Sequence, residues 1–330
     1  MNEQTQLSDK FQLAAQYIDG LRQEIHKHII GYNTEIDQLL ACLVAGGHCL
    51  LVGMPGVGKT HLTSTLAQAL GVDFKRIQAT PDLMPADIIG TEVLNPQQSG
   101  FEFVKGPIFC QFLMIDEINR ATPRTQSALL EAMQEKQVTV SGNKLPLPQP
   151  FQVVATQNPI EQDGTFQLPE AQIDRFMCRI DIPYPNLEQE RQIIYDKIID
   201  PTPPSPVTPV VNSQFLLQAS QLALHMPISE GILHAAINMT RKTRDMANNE
   251  QSGILRGAGP RAGQYLVAMS RALALVRGNM LVTAQETMDC VLPVMRHRIA
   301  WHYGLGQSQQ YQDIEKQLHD MMYQELSSMT

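Results

Sequence analysis

The sequence contains no apolar run long enough to cross a membrane, and its balance of charges is not positive. The lack of such a run excludes a transmembrane helix. The polar start, MNEQTQLSDK, lacks the apolar stretch of a secretory signal, so we expect a cytoplasmic protein. The formal net charge of −8 does not supply the basic field of nucleic-acid-binding proteins, so composition gives a nucleic-acid partner no support.

Cysteines are few, and none of them forms a CxxC pair. Most lie in apolar surroundings, as in GGHCLLVG and GPIFCQF, which favours packing in the core over metal binding or a disulfide. Unpaired core thiols suit a reducing compartment. The cysteines are Cys42, Cys49, Cys110, Cys178 and Cys290.

Short apolar runs alternate with helical patterns in the first half of the chain. Five runs predict buried strands, at residues 47–53, 74–80, 111–117, 151–158 and 178–184. Apolar residues recur at helical spacing over 59–70 and 123–136. Because strands that alternate with helices form parallel sheets, the predicted fold class is α/β. We expect this domain over residues 31–185, after an N-terminal helix within residues 1–30.

Two stretches exceed what a minimal α/β unit needs. Residues 81–107 alternate on both sides of NPQQSG, and residues 136–150 have turn residues at 141–143. Both patterns predict inserted β-hairpins. Long insertions in a compact domain are more often functional than idle.

A proline-rich stretch, DPTPPSPVTPVV at residues 200–211, predicts a linker over 186–212. Beyond it the apolar spacing is helical throughout, which predicts an all-α domain over 213–330. The predicted helices cover 213–225, 229–247, 260–277, 283–301 and 308–327.

The segment GMPGVGKT, residues 53–60, matches the G-x-x-x-x-G-K-[ST] phosphate-binding loop. It follows a predicted strand and opens a predicted helix, as that loop requires. Glycines allow successive backbone N–H groups to point at phosphate oxygens. Lys59 then supplies a positive charge for the β and γ phosphates, and Thr60 supplies a hydroxyl for Mg²⁺. The expected cofactors are ATP and Mg²⁺.

Two adjacent acids, Asp116 and Glu117, end the apolar run FLMIDE. Mg²⁺ relieves the repulsion between such neighbours because it binds carboxylates. We therefore assign Asp116 to the metal and Glu117 to the attacking water. Asn158, after the apolar run of VVATQNP, is a neutral group that can orient water or contact phosphate, or alternatively make a turn before Pro159.

These residues, with the blocks INRATPRTQSALLEAMQE and VVATQNPIEQDGTFQLPEAQIDRF, closely resemble the MoxR family of AAA+ ATPases. The resemblance covers most of the chain, from about residue 30 to about residue 299. It implies an αβα sandwich with a five-stranded parallel sheet in the order 5-1-4-3-2, followed by a helical lid. The two predicted hairpins fall where this clade carries insertions.

The resemblance also implies site roles. The cofactor-binding set becomes Ile30, Gly31 and Tyr32 at the adenine, the Walker A residues Gly53, Met54, Pro55, Gly56, Val57, Gly58, Lys59 and Thr60 with His61, then Asp116 and Arg261. The metal ligands are Thr60 and Asp116. The catalytic set becomes Lys59, Glu117, Asn158 as sensor 1, Arg175 as arginine finger and Arg261 as sensor 2. The chain departs from the family at Gly259, in GAGPRA, and at Tyr32, where relatives often have glutamine.

An arginine finger acts on the site of a neighbouring subunit, so the resemblance implies a homo-oligomeric ring, with a hexamer expected. It also implies Mg²⁺-dependent ATP hydrolysis that remodels or activates a client protein, often beside a von Willebrand A-domain protein. The alternatives are a metal-chelatase-type motor, a nucleic-acid motor, and a P-loop kinase or GTPase. Arg120 and Arg124 stay open between a subunit interface and pairing with carboxylates.

Overall fold

The computed structural model describes residues 3–95, 100–159, 164–199, 205–249, 254–301 and 307–327. At its centre is a five-stranded parallel sheet with the neighbour order β2-β5-β8-β1-β9. The strands are β1 (Cys49–Gly53), β2 (Phe74–Gln78), β5 (Phe112–Asp116), β8 (Gln152–Gln157) and β9 (Cys178–Ile182). Counting only these strands in chain order, the sheet runs 5-1-4-3-2, which confirms the predicted topology.

The burial of the strands matches their places in the sheet. β1 and β5 are buried at every position, as expected for parallel strands covered on both faces. β2 is an edge strand and exposes most of its side chains. In the register, Leu51 lies beside Thr156 and Gln78 lies beside Asp116. The carboxyl ends of β1, β2, β5 and β8 therefore meet at one edge of the sheet.

Helices cover the sheet, and the first of them comes from the N-terminus. This helix, α1 (Glu3–His26), places Phe11, Ala14, Ile18, Leu21 and Ile25 on one buried face at helical spacing. It packs against helices of both the α/β part and the helical part. The other helices of the α/β part are α2 (Asn33–Val44), α3 (Lys59–Ala69), α4 (Pro85–Ile89), α5 (Pro123–Glu135) and α6 (Glu170–Ile173).

Two antiparallel hairpins project from the α/β part. The first pairs β3 (Gly90–Asn95) with β4 (Gly100–Lys105), and residues 96–99 of its predicted turn lie outside the described residues. The second pairs β6 (Gln137–Val140) with β7 (Asn143–Pro146). The hydroxyl of Ser141 donates to Glu92 Oε2 at 2.8 Å, so the two hairpins touch.

The helical part begins earlier than its sequence predicts. Within the stretch predicted as a linker, α7 (Leu187–Ile194) continues into a π-helical turn (Tyr195–Ile199). Asn186 caps α7: its side chain accepts from the backbone N–H of Gln189, whose own side chain accepts from Asn186 N. Residues 200–204 of that stretch lie outside the described residues.

Five further helices follow, and a short strand pair joins them. These elements are α8 (Ser213–Leu224), α9 (Glu230–Ala247), β10 (Ile254–Arg256), α10 (Pro260–Val276), α11 (Ala284–Met295), β11 (Ala300–Trp301) and α12 (Gln307–Ser327). Helix α10 packs against α2, and one apolar core includes side chains from both. The lid is therefore docked on the α/β part through a shared core. No helix in the described part of the chain is long and apolar enough to span a membrane.

Candidate nucleotide site

The loop between β1 and α3 has the shape of a phosphate cradle. Gly56 and Gly58 take positive φ angles of 82° and 88°, which glycine adopts without steric cost. A Cβ placed on either glycine would meet no atom within 4 Å, so the space at the loop is open. Gly53 is required for another reason, since a Cβ there would lie 2.8 Å from the carbonyl oxygen of Ile182. These residues fit a bound polyphosphate.

Lys59 begins α3 and folds back over the loop. Its ammonium donates to the carbonyl oxygens of Gly53 at 2.5 Å and Met54 at 2.9 Å. Val57 is buried beneath the loop, whereas Pro55 is exposed. The ammonium is therefore held at the mouth of the cradle, where phosphate oxygens would be its strongest acceptors.

Asp116, at the end of β5, is a buried carboxylate with donors on three sides. The hydroxyl of Thr60 lies 3.3 Å from Oδ1, and the hydroxyl of Thr156 donates to the same oxygen at 3.2 Å. Arg76 Nε donates to Oδ2 at 2.6 Å from the edge strand β2. The predicted metal ligands Thr60 and Asp116 are thus brought together, and a guanidinium accompanies them.

Glu117 follows directly, in the left-handed region, with φ 55° and ψ 49°. This conformation costs a residue with a Cβ roughly 1–2 kcal/mol. It turns the chain at the strand end, and the Glu117 N–H donates to Thr156 Oγ1 at 2.9 Å. The Glu117 carboxylate accepts from Gln78 Nε2 and Arg120 Nη1, both at 3.0 Å. One hydroxyl, that of Thr156, therefore links the two acids.

The same contacts decide between the two alternatives that the sequence left for Arg120. Arg120 pairs with a carboxylate, that of Glu117, across one turn of 3₁₀ helix (Ile118–Arg120). Arg124 lies exposed in the first turn of α5.

Asn158 is buried and comes directly after β8, the strand between β1 and β5. Its neighbour Gln157 is in register with Val52, one residue before the cradle begins. Asn158 therefore lies at the sheet edge that carries both the cradle and the acids, as a sensor residue requires.

The segment before α2 reaches the cradle from the side. Gly31 and Tyr32 both have positive φ, 79° and 59°, and the Tyr32 hydroxyl donates to Val57 O at 2.9 Å. Ile30 is partly buried beside them. His61, the third residue of α3, is exposed and lies 3.2 Å through Nε2 from His28 O. Tyr32 thus ties the predicted adenine segment to the phosphate loop.

Arg175 and Arg261 are not brought to this edge. Arg175 precedes β9, whose first residue, Cys178, is in register with Cys49 at the start of β1. A five-residue strand is roughly 13 Å long, so Arg175 lies at the opposite edge from the cradle. Arg261 Nη1 donates to Asp174 Oδ2 at 2.7 Å, next to Arg175. The structure therefore groups both arginines together and apart from Lys59 of the same chain.

Comparisons with known proteins identify the family. Residues 48–178 match the model of the ATPase family associated with various cellular activities (AAA), and residues 246–318 match the AAA lid domain. Chaperone MoxR1 of Mycobacterium tuberculosis is 40% identical over 284 residues, 85% of this chain and 74% of that protein. The chain belongs to the MoxR family of AAA+ ATPases. Protein MoxR of Paracoccus denitrificans is 30% identical over 293 residues, 82% of this chain and 85% of that protein.

A solved structure extends the MoxR likeness to the whole fold. A candidate ATPase from Cytophaga hutchinsonii is 34% identical and superposes with a TM-score of 0.86, over 97% of this chain and 98% of that one. The resemblance read from the sequence is confirmed, and with it the AAA+ architecture with its helical lid.

Three polar residues of the MoxR site were missed in the sequence: Arg76, Gln78 and Thr156. Arg76 and Gln78 are two apart on β2, so both side chains leave the same face of the strand. Thr156 was detectable as a hydroxyl residue within an otherwise apolar run, VVATQ. A buried polar side chain in such a run needs a partner, and here its partners are Asp116 and Glu117.

Proposed function

We propose that this MoxR-type ATPase hydrolyses Mg²⁺-bound ATP at sites shared between neighbouring subunits of a homo-oligomeric ring, and that the cycle remodels client proteins. The observation that carries the proposal is that the predicted phosphate-binding and acidic residues lie far from the two predicted catalytic arginines of the same chain. Lys59, Asp116 and Glu117 lie at the carboxyl edge of the sheet, whereas Arg175 and Arg261 lie at the amino edge. Arg175 and Arg261 therefore cannot act on the cradle of their own chain, and we propose that they act on the cradle of a second copy.

The residues at the carboxyl edge fit Mg²⁺-bound ATP. In the described part of the chain, no three or more His, Cys, Asp or Glu side chains form a group that could hold a metal ion unaided. Thr60 and Asp116 offer one hydroxyl and one carboxylate, the kind of small set that binds Mg²⁺ together with substrate phosphates. The metal, when bound, would neutralise charge on the β and γ phosphates.

The hydrolytic step is assigned to Glu117, which would orient a water and accept its proton. Gln78 and Arg120 hold the carboxylate, and Thr156 fixes its backbone. Lys59 would bind the phosphates, and Asn158 would position the γ-phosphate or the water.

Arg175 is proposed as the arginine finger for the next subunit. An arginine that stabilises the transferring phosphoryl group contributes roughly 10³ to 10⁵ in rate. Arg261 is proposed to act beside it on the same neighbouring nucleotide, since Asp174 holds it there. Hydrolysis would then depend on assembly, for which we propose a hexamer in the cytoplasm.

Client remodelling is proposed from two supports. The relative at 40% identity is named a chaperone, and the lid is joined to the α/β part through a core that a change at the nucleotide could shift. A von Willebrand A-domain protein is a proposed partner. Stimulation of ATP hydrolysis by DNA, with steep salt dependence, would favour the nucleic-acid motor instead.

The test replaces Glu117 by Gln, which keeps the side-chain volume and removes the proton acceptor. We expect Mg²⁺-dependent ATP binding to persist and turnover to fall by at least about 10²-fold. The matched control is Glu131→Gln, an exposed position on α5 outside the site. Binding would be measured by calorimetry and turnover by phosphate release. Full turnover in Glu117→Gln would overturn the assignment.

A further inference from the structure

A small cavity opens at the amino edge of the sheet, beside Arg175. Its volume is about 220 Å³. Sites for drug-sized ligands usually measure about 300 to 1,000 Å³, so this cavity suits an anion of phosphate size and is too small for a whole nucleotide. It is lined by Ala45, Gly46, Gly47, His48, Met133, Gln134, Lys136, Arg175, Met177, Arg261 and Tyr265.

The charge around the cavity has one sign. Lys136, Arg175 and Arg261 line it, and none of these described lining residues is acidic. The nearest carboxylate in the hydrogen-bond network, Asp174, accepts from Arg261 and Arg298. Three cations around one small cavity give it a basic lining, which favours an anion.

His48 lines the cavity as a neutral ring and adds no further charge at neutral pH. Its Nδ1 accepts from Val153 N at 3.0 Å and its Nε2 lies 3.1 Å from Met133 O, which fixes the neutral ring with its proton on Nε2. Burial, with a smaller contribution from the charge of Lys136, lowers the pKa of His48 to about 4. Lys136 and His48 line the same cavity.

Three separate elements supply the cations. Lys136 follows the last residue of α5 and has a positive φ of 52°, a conformation uncommon for a residue with a Cβ. Arg175 Nη1 donates to Leu130 O at 2.6 Å, on the same helix. Arg261 comes from α10 of the lid. The cavity therefore lies between three elements: the end of α5, the segment before β9 that carries Arg175, and α10 of the lid.

We propose that Lys136 is a third cation that, with Arg175 and Arg261, receives the phosphates of the nucleotide bound by the neighbouring subunit. This rests on the proposed function, because the anion is the neighbour's triphosphate. Lys136 would stabilise phosphate charge across the interface and would take no part in nucleotide binding by its own P-loop. Removing it should therefore lower kcat and leave the affinity of its own cradle for ATP unchanged.

The first experiment is Lys136→Gln, which keeps most of the length and removes the charge. Glutamine retains a Cβ, so the backbone cost of the positive φ stays similar. We expect kcat to fall about tenfold or more, with an unchanged Kd for ATP of the dissociated subunit. Lys136→Arg should recover most of the rate. Lys144→Gln, at an exposed lysine of the β6–β7 hairpin that follows Lys136, is the matched control and should keep the wild-type rate. Wild-type kcat in Lys136→Gln would overturn the proposal.

The second experiment tests whether Lys136 acts across the interface. Lys136→Gln is mixed with Lys59→Ala, which lacks a working cradle but keeps its cationic pocket. Random assembly creates interfaces that combine an intact cradle with an intact pocket, so activity should rise above that of either variant alone. Thermal melting of each variant checks that it is folded.

A mixture of Arg175→Ala with Lys59→Ala tests the shared site independently of Lys136. Recovery in both mixtures supports Lys136 as a residue that acts on the neighbour's nucleotide. Recovery with Arg175→Ala alone would refute the role of Lys136 and leave the shared site standing. Recovery in neither mixture would contradict the shared site, and the proposal for Lys136 with it.

Discussion

Arg76 donates its Nε to Asp116 Oδ2 at 2.6 Å, so a guanidinium stands against the carboxylate assigned to Mg²⁺. The two partners differ in exposure: the Arg76 side chain is 51% exposed and that of Asp116 is 7% exposed. An exposed arginine can move away at little cost, whereas a buried carboxylate is stable only with a charged partner and hydrogen bonds. Arg76 therefore balances the charge of Asp116, and under the proposed function Mg²⁺ would take over that role.

In an Arg76→Gln variant, only a bound metal ion could balance the charge of Asp116. We expect the free energy of unfolding without Mg²⁺ to fall by about 1 kcal/mol, since the arginine is half exposed. We also expect Mg²⁺ with ADP to stabilise the variant more than the wild type, because the metal no longer competes with a guanidinium. Thermal melting in EDTA and in Mg²⁺ with ADP measures both effects. Arg124→Gln is the control, and equal stabilisation of Arg76→Gln and wild type would argue against this exchange.

Thr156 offers a second test, because its hydroxyl bonds both to Asp116 and to the Glu117 backbone. Thr156→Val keeps the volume and leaves a buried N–H without that acceptor, which should cost about 1–3 kcal/mol of stability. The turnover rate should fall as well, since the turn that aims Glu117 loses its anchor. Urea unfolding and phosphate release measure the two effects. Thr156→Ser, which keeps the hydroxyl, should stay closer to wild type; equal losses in both variants would show that the hydroxyl is not the cause.

The sequence was sufficient for the parts of this molecule that depend on local pattern. Apolar runs identify the five strands, and the strand ends place Asp116 and Asn158 at the same edge. The strand order came from the family resemblance, and the sheet has that order. Local pattern failed for α7, because a capping box at Asn186 begins a helix inside a stretch that proline content marks as a linker.

The sequence was not sufficient for contacts between distant segments. Arg76 meets Asp116 only because β2 lies beside β5 with Gln78 in register with Asp116, 38 positions later in the chain. Arg261 reaches Asp174 only because α10 packs on α2 at the amino edge. No local sequence pattern indicates the strand register or the docking of the lid. The partners of these arginines therefore become visible only in the three-dimensional structure.

His48 gives the protein a pH dependence whose sign follows from burial. Its pKa falls from 6.5 to about 4 on folding, so between these values the unfolded chain binds more protons than the folded one. Stability should therefore fall as the pH drops from 6.5 towards 4. Burial also lowers the pKa of His297, which adds a contribution of the same sign.

The variant His48→Asn should flatten that dependence without abolishing it. The asparagine side chain can still accept from Val153 N but carries no titratable group. Urea unfolding midpoints measured across this pH range give the slopes for wild type and variant. A slope that does not change would mean that His48 is not a source of the acid sensitivity.

The dependence of ATP hydrolysis on assembly tests the shared site most directly. Turnover per subunit is measured while the total protein concentration rises from nanomolar to micromolar, for wild type and for Arg175→Ala. If Arg175 completes the site of a neighbour, wild-type turnover per subunit rises steeply to a plateau, whereas Arg175→Ala stays near the level of the dissociated subunit and lies roughly 10³-fold or more below that plateau. Turnover per subunit that is constant with concentration and unchanged in Arg175→Ala would contradict a site built from two copies of the chain.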